Sequence, residues 1–167
     1  MGSMDLASHP DSAVYGLLVP RSPLVRRLLA RNPSPFTFTG TGTFVVGQPG
    51  GTVAVIDPGP AEPAHVRALI DALVGETVSH IVITHTHMDH SPAAPALKAA
   101  TGAQIVGCAP LVLSDDGPRA DAGFDATYAP DHVMADGESV SGPGWTLTAI
   151  HTPGHTSNHL CFALAEE

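Results

Sequence analysis

The feature that most constrains this chain is an apolar run that leads directly into a dense polar cluster. Residues 78–83 are rich in β-branched and apolar side chains, a pattern that predicts a strand buried on both faces. The chain then continues as Thr84-His85-Thr86-His87-Met88-Asp89-His90. Three imidazoles and one carboxylate therefore follow the buried strand at once, in a loop at its end.

The spacing within this cluster favours a metal site. His85 and His87 are separated by one residue, so in an extended segment both side chains leave from the same side, and Asp89 and His90 follow in the turn. A metal ion is the simplest physical reason to gather these groups, which would otherwise compete for hydrogen bonds. The alternative is an ordinary surface loop rich in histidine.

A second polar cluster also lies between two predicted strands. Residues 145–150 and 160–164 are strand-like, and between them the chain reads His151-Thr152-Pro153-Gly154-His155. Taken alone, this motif could be only a turn. Because it follows the end of a strand as the first cluster does, His155 is a candidate third histidine for the same metal.

The other segments alternate between strand-like and helix-like patterns. The turn sequence Gln48-Pro49-Gly50-Gly51 separates two β-rich runs and predicts a hairpin. Ser91 and Pro92 are suited to begin a helix that Gly102 would end. The remaining predictions are strands at 13–19, 43–46, 53–56 and 104–107, helices at 61–74 and 93–101, a partly helical segment at 22–31 and a polar loop at 115–128. This mixture predicts an α/β fold built in layers.

Composition excludes several classes of protein. The 167 residues suit one globular domain, and no apolar stretch approaches the roughly 20 residues of a membrane span. A net charge of −9 with only 7 Lys and Arg argues against a nucleic-acid surface. Residues 1–3 are typical of a cloning scar, and no secretory signal follows, so we expect a cytoplasmic protein. Cys108 and Cys161 are expected to be buried, reduced thiols.

The motifs together resemble the metallo-β-lactamase superfamily. The first cluster resembles its His-x-His-x-Asp-His signature, which is highly specific, and residues 152–156 resemble its third-histidine motif. Residues 55–59 and 40–44 resemble the Asp-containing strand end and the opening strand of the branch of glyoxalase II-like and β-lactamase-like-protein-2-like hydrolases. The four motifs occur in the family's order and span residues 36–164.

The resemblance implies a fold and a set of roles. The family fold is an αβ/βα sandwich, of which residues 4–167 would supply the N-terminal half and the start of the second half. The first metal would be held by His85, His87 and His155, and the second by Asp89 and His90. Asp57 would hydrogen-bond the metal loop without touching metal. The family's later bridging Asp and final His would lie beyond Glu167, so we expect a fragment of a longer protein.

The same resemblance implies hydrolysis by a metal-bound hydroxide, which Asp89 would help to orient. One or two zinc ions are expected, with iron or manganese as alternatives, and the substrate would be a small ester, thioester or lactone. A ribonuclease and a metal-binding half-domain, inactive without its C-terminal part, remain open alternatives. No role is assigned to His151 or His159, His65 is expected to be solvent-exposed, and the oligomeric state is left open.

Overall fold

Two sheets and two helices make up the computed structural model, which describes residues 13–112 and 123–167. The predicted cloning scar and the first part of the polar loop predicted at 115–128 lie outside these ranges. The elements in chain order are β1 (Val19–Pro20), β2 (Val25–Leu29), β3 (Gly42–Val46), β4 (Thr52–Ile56), α1 (Pro63–Ala72), β5 (Thr77–Ile83), α2 (Ala94–Thr101), β6 (Gln104–Gly107), β7 (His132–Val133), β8 (Ser139–Gly142), β9 (Trp145–His151) and β10 (Leu160–Leu164).

The larger sheet runs from β1 to β7 in sequence order. Strands β1 to β4 pair antiparallel, which confirms the predicted hairpin of β3 and β4. Strands β4 to β7 pair parallel. Helix α1 forms the crossover from β4 to β5, and α2 forms the crossover from β5 to β6. The carboxyl ends of β4 and β5 therefore meet at one edge of the sheet, and the segments that follow them lie side by side.

The smaller sheet has the order β10-β9-β8 and packs on the larger one through a shared apolar core. Trp145, at the start of β9, is almost fully buried. Its indole nitrogen donates to the carbonyl of Thr52 at 2.8 Å. Burial of a side chain of this size contributes several kcal/mol, so Trp145 helps to fix the two sheets against each other.

The segment predicted to be partly helical, residues 22–31, is instead a strand. Strand β2 alternates half-buried and buried residues, and Arg26 lies on the buried side because Glu76 accepts two hydrogen bonds from its guanidinium, at 2.5 and 2.7 Å. The partner lies 50 residues away, so a local pattern could not reveal the pairing. The strand predicted at 13–19 is wrong except at Val19, because β1 covers Val19–Pro20 and residues 13–18 contain one isolated bridge, from Tyr15 to Leu29.

Three local predictions need correction. Ser91 does not cap α2, because its hydroxyl donates to Asp125 instead, at 2.9 Å. The helix begins at Ala94, after Ala93 as its N-cap, and ends as predicted at Gly102, whose φ of 76° suits glycine. Cys161 is exposed, whereas Cys108 is buried as expected. In strand β10 side chains alternate between the two faces of the sheet, and Cys161 falls on the outer face.

Neither helix in the described ranges is long enough for a membrane span. They contain 10 and 8 residues, about half of what a bilayer requires.

Candidate metal centre

Three chain segments meet at the carboxyl end of the larger sheet. The residues after β4, those after β5 and the loop between β9 and β10 are joined by backbone hydrogen bonds. The amide of Asp57 donates to Val82 at 2.8 Å, and the amide of Leu160 donates to Thr84 at 2.9 Å. The polar clusters that the sequence places 60 residues apart therefore become neighbours.

Three of the predicted ligands form a compact group. His85, His87 and His155 each offer one ring nitrogen, and these three atoms lie within 4.8 Å of one another. The ring centroids are 4.7 to 4.9 Å apart. His85 and His87 are buried and His155 is exposed. This arrangement can hold a metal with imidazole ligands from both polar clusters.

The hydrogen bonding, burial and pKa of His85 fit the role of a metal ligand. Its Nδ1 lies 2.8 Å from the hydroxyl of Thr84, whereas its buried Nε2 has no hydrogen-bond partner among the described residues. A buried polar atom of this kind is costly, and a metal ion would satisfy it. Burial, followed by the charge of His90, lowers the pKa of His85 to about 3. The ring is therefore neutral at neutral pH, the form that binds metal.

Asp57 ties the end of β4 to the loop that carries the histidines. The backbone amide and hydroxyl of Thr84 donate to its carboxylate at 2.9 and 2.6 Å, and Nδ1 of His90 lies 2.9 Å from the same group. Asp57, His85 and His90 also offer ligand atoms within 4.8 Å of one another. A buried carboxylate with three partners helps to hold the loop in place.

Asp89 and His90 lie at the open side of the group. A carboxylate oxygen of Asp89 accepts a hydrogen bond from the Thr41 hydroxyl at 2.5 Å and lies 3.3 Å from Nε2 of His90. Burial alone would lower the pKa of His90, but Asp57 and Asp89 raise it to about 9. Burial would raise the pKa of Asp89, but hydrogen bonds from His90 and Thr41 hold it well below its usual range. Without a metal, His90 is therefore protonated at neutral pH and lies next to the carboxylates of Asp57 and Asp89.

A fifth imidazole joins the cluster, although the sequence analysis gave it no role. The ring of His159 lies 5.0 Å from that of His85 and 6.0 Å from that of His155. Its Nδ1 is 2.8 Å from the hydroxyl of Thr152, across the loop. Its position directly before the strand predicted at 160–164 is the sequence feature that could have indicated a place in this cluster. His151, by contrast, is exposed and outside the ring cluster of the described residues.

Residues 123–125 contact the loop that carries His85, His87 and His90, residues 84–90, which we call the histidine loop. The amide of Met88 donates to Gly123 at 3.0 Å, and the amide of Asp125 donates to Thr86 at 2.6 Å. The Asp125 carboxylate in turn accepts the Ser91 hydroxyl. This short antiparallel contact, a bridge between His87 and Phe124, helps to fix the backbone of the loop.

The structure corrects the expected exposure of His65. Its ring is buried, and Nε2 donates to the carbonyl of Pro58 at 2.7 Å. It packs so closely on Gly59 that a Cβ there would come within 2.5 Å of Nε2. His65 is on the inner face of α1, one turn before the buried Leu69. It therefore supports the turn that follows Asp57.

Replacing His65 with leucine is expected to lower the free energy of unfolding by about 1–3 kcal/mol, because the Pro58 carbonyl would lose its buried donor. Urea denaturation followed by circular dichroism measures the change. His65→Gln keeps a side-chain N–H donor and is the matched control, with a smaller expected loss. Equal stability of all three proteins would contradict this role.

The cluster faces a cavity of about 400 Å³. Its lining includes four of the predicted site residues and part of the 32–37 segment, namely His87, Asp89, His90, His155, Asn32, Ser34, Phe36 and Thr37. A small molecule placed in this cavity would touch the candidate ligands directly.

Comparison with known proteins gives one family and a set of similar chains. The model of the metallo-beta-lactamase superfamily matches residues 37–167. A lactamase-like protein of Pestalotiopsis microspora is 35% identical over 148 residues, which are 87% of this chain and 42% of that protein. An atrochrysone carboxyl ACP thioesterase of Cryptosporiopsis is 32% identical over 151 residues, 87% of this chain and 41% of that enzyme. The chain thus spans less than half the length of these relatives.

Solved structures share the fold. A variant of a metallo-beta-lactamase from Cronobacter sakazakii superposes with a TM-score of 0.67 at 24% identity, over 87% of this chain and 58% of that one. A metallo-beta-lactamase from Novosphingobium pentaromativorans gives a TM-score of 0.57 at 30% identity, over 74% of this chain and 49% of that one. The resemblance noted in the sequence, and the α/β fold expected from it, are confirmed.

Proposed function

Because this chain belongs to the metallo-β-lactamase superfamily, we propose that it carries the metal site of a hydrolase that cleaves a small thioester or ester. The observation that carries the proposal is the buried Nε2 of His85, which has no hydrogen-bond partner within residues 13–112 and 123–167 and lies in a group with His87 and His155. Several relatives are named as thioesterases, which favours a thioester among the possible substrates.

We propose zinc as the metal, held by His85, His87 and His155. Three neutral imidazoles suit this ion, although iron and manganese accept similar ligands. When bound, zinc supplies a Lewis acid that polarises a carbonyl group and makes water acidic enough to ionise near pH 7. Asp89 and His90 are the proposed ligands of a second ion, which would have to displace the proton that His90 carries.

Residues of the chain itself would position the attacking water and the metal-binding imidazole. Asp89 lines the cavity as an ionised carboxylate, so it can hold a proton of the attacking water and fix the direction of attack. Thr41 keeps that carboxylate in place through its hydroxyl. The hydroxyl of Thr84 donates to Asp57 and contacts Nδ1 of His85. Contacts of this kind, at the ring nitrogen that does not bind the metal, orient metal-binding imidazoles.

The lining of the cavity favours a carbonyl substrate over a phosphodiester. None of the described residues that line it is Lys or Arg, and Glu62 and Asp89 are acidic. A nucleic-acid backbone would meet carboxylates there instead of the cations that usually bind phosphate. We therefore place the ribonuclease interpretation second, and we propose a small-molecule substrate.

A metal-dependent assay tests this function. Zinc-loaded protein is expected to release thiol from short acyl thioesters, and removal of zinc with a chelator is expected to lower the rate by more than about 100-fold, with recovery when zinc is returned. Ellman's reagent reports the thiol. Bis(p-nitrophenyl) phosphate is the control substrate, and faster turnover of this diester would favour the nuclease. Bound zinc without hydrolysis of either substrate would favour the metal-binding half-domain and contradict the enzyme.

A further inference from the structure

Two phenylalanines project from the loop that borders the candidate metal centre. Phe36 and Phe38 are each 78% exposed and lie in the segment between β2 and β3. Exposed aromatic side chains of this size are unfavourable in water, and neighbouring ones on a surface often mark a binding site.

The backbone of this loop is firmly held. The hydroxyl of Ser34 accepts hydrogen bonds from the amides of Phe36 and Thr37, both at 3.1 Å. The side chain of Asn32 bonds to the amide and the hydroxyl of Thr41, at 2.8 and 3.1 Å. The same Thr41 hydroxyl donates to Asp89. The loop is thus fastened both to itself and to the histidine loop.

The conformation of the loop also carries a cost. Phe38 has a φ of 56°, a value that is rare for a bulky residue because Cβ crowds the backbone. Such a conformation is unfavourable and persists where the surroundings impose it. A strained, hydrogen-bonded loop that displays apolar side chains to solvent is poorly explained by stability alone.

Phe36 forms part of the wall of the cavity in front of the metal site. Met88, which is 48% exposed, and Pro60 add apolar surface to the same cavity, which His87 and His155 also line. A molecule in this cavity whose reacting bond lies at the histidines can therefore contact Phe36 and Met88.

We propose that Phe36 and Met88 form a subsite for the apolar acyl group of the substrate, with room for an aromatic ring system or a medium-length alkyl chain. This inference rests on the proposed function, because it assumes that the carbonyl of the acyl group lies at the histidines. The cavity of about 400 Å³ is in the lower part of the range for small-molecule sites, which suits a single acyl group.

The test measures binding of carboxylic acids, the products of hydrolysis, to the zinc-loaded chain. Methionine methyl groups labelled with carbon-13 provide the signal in NMR spectra. Met88 reports on the subsite, and the buried Met134 is the internal control. We expect 2-naphthoate and octanoate to shift the Met88 signal and to bind at least about tenfold more tightly than acetate, because burial of an apolar group against Phe36 is favourable. A tenfold difference in affinity corresponds to about 1.4 kcal/mol.

The Phe36→Ala variant is expected to remove most of this preference and leave acetate binding unchanged. Because Phe36 is so exposed, the substitution should not affect folding. Phe36→Leu keeps apolar surface and should retain part of the preference. Val74→Ala is the matched control, since Val74 is 79% exposed and lies just beyond the end of α1.

The outcomes separate this inference from the proposed function. No shift at Met88, or an unchanged naphthoate preference in Phe36→Ala, would overturn the subsite even if thioesters are hydrolysed. A preference that depends on Phe36 in a protein without thioesterase activity would support the subsite and contradict the proposed reaction.

Discussion

Replacing His85 with alanine is expected to lower zinc affinity by more than about 100-fold. Loss of an outer-shell contact already costs 10- to 100-fold in many metal sites, and His85 offers a buried ring nitrogen that has no hydrogen-bond partner among the described residues. The variant also removes one of three clustered imidazoles. Competition with a chromophoric chelator measures the affinity of each protein.

His151→Ala is the matched control for this experiment. His151 belongs to the same polar cluster as His155 but is exposed and outside the group of candidate ligands in the described ranges. Its removal should leave zinc affinity within about twofold, because no contact with the metal would be lost. Tight binding by the His85 variant would disprove the ligand assignment.

Replacing Asp89 with asparagine is expected to lower thioester turnover by about 10²- to 10⁴-fold, the usual contribution of a positioned acid–base group. The amide is close in size to the carboxylate but cannot accept a proton from water. Zinc held by the three clustered histidines should remain, because Asp89 is not among them. Steady-state kinetics and metal analysis on the same sample separate the two effects.

Asp71→Asn provides the comparison for charge removal alone. Asp71 is exposed on α1, where it pairs with Arg67 at 3.3 Å, and its substitution should leave turnover unchanged. Near-normal turnover of the Asp89 variant, or loss of the zinc held by the three clustered histidines, would rule out the role proposed for Asp89.

Sequence reasoning worked where the structure depends on local signals. The turn at residues 48–51 predicted the β3–β4 hairpin because its residues favour a reversal of the chain. The run before Thr84 predicted β5 because its apolar residues are consecutive. The candidate histidines could be named for the same reason, since both polar clusters directly follow strand-like runs.

The same reasoning failed where a residue depends on a distant partner. Strand β2 was missed because the burial of Arg26 requires Glu76. The contact between Thr41 and Asp89 joins residues 48 positions apart, and nothing near Thr41 indicates it. The burial of His65 likewise arises from the packing of α1 on the turn at Pro58. Short strands such as β7, which consists of two residues paired to β6, carry too little pattern to detect.

The network around Asp57 has a consequence for the supply of metal in the cell. Thr84 and His90 are fastened to Asp57 by protein contacts alone, so we expect the histidine loop to keep its shape while one ion leaves and another enters. A loop whose shape is set by protein contacts does little to select among divalent ions, whose intrinsic affinities follow a common order. The metal found in protein purified from cells should then vary with the growth medium.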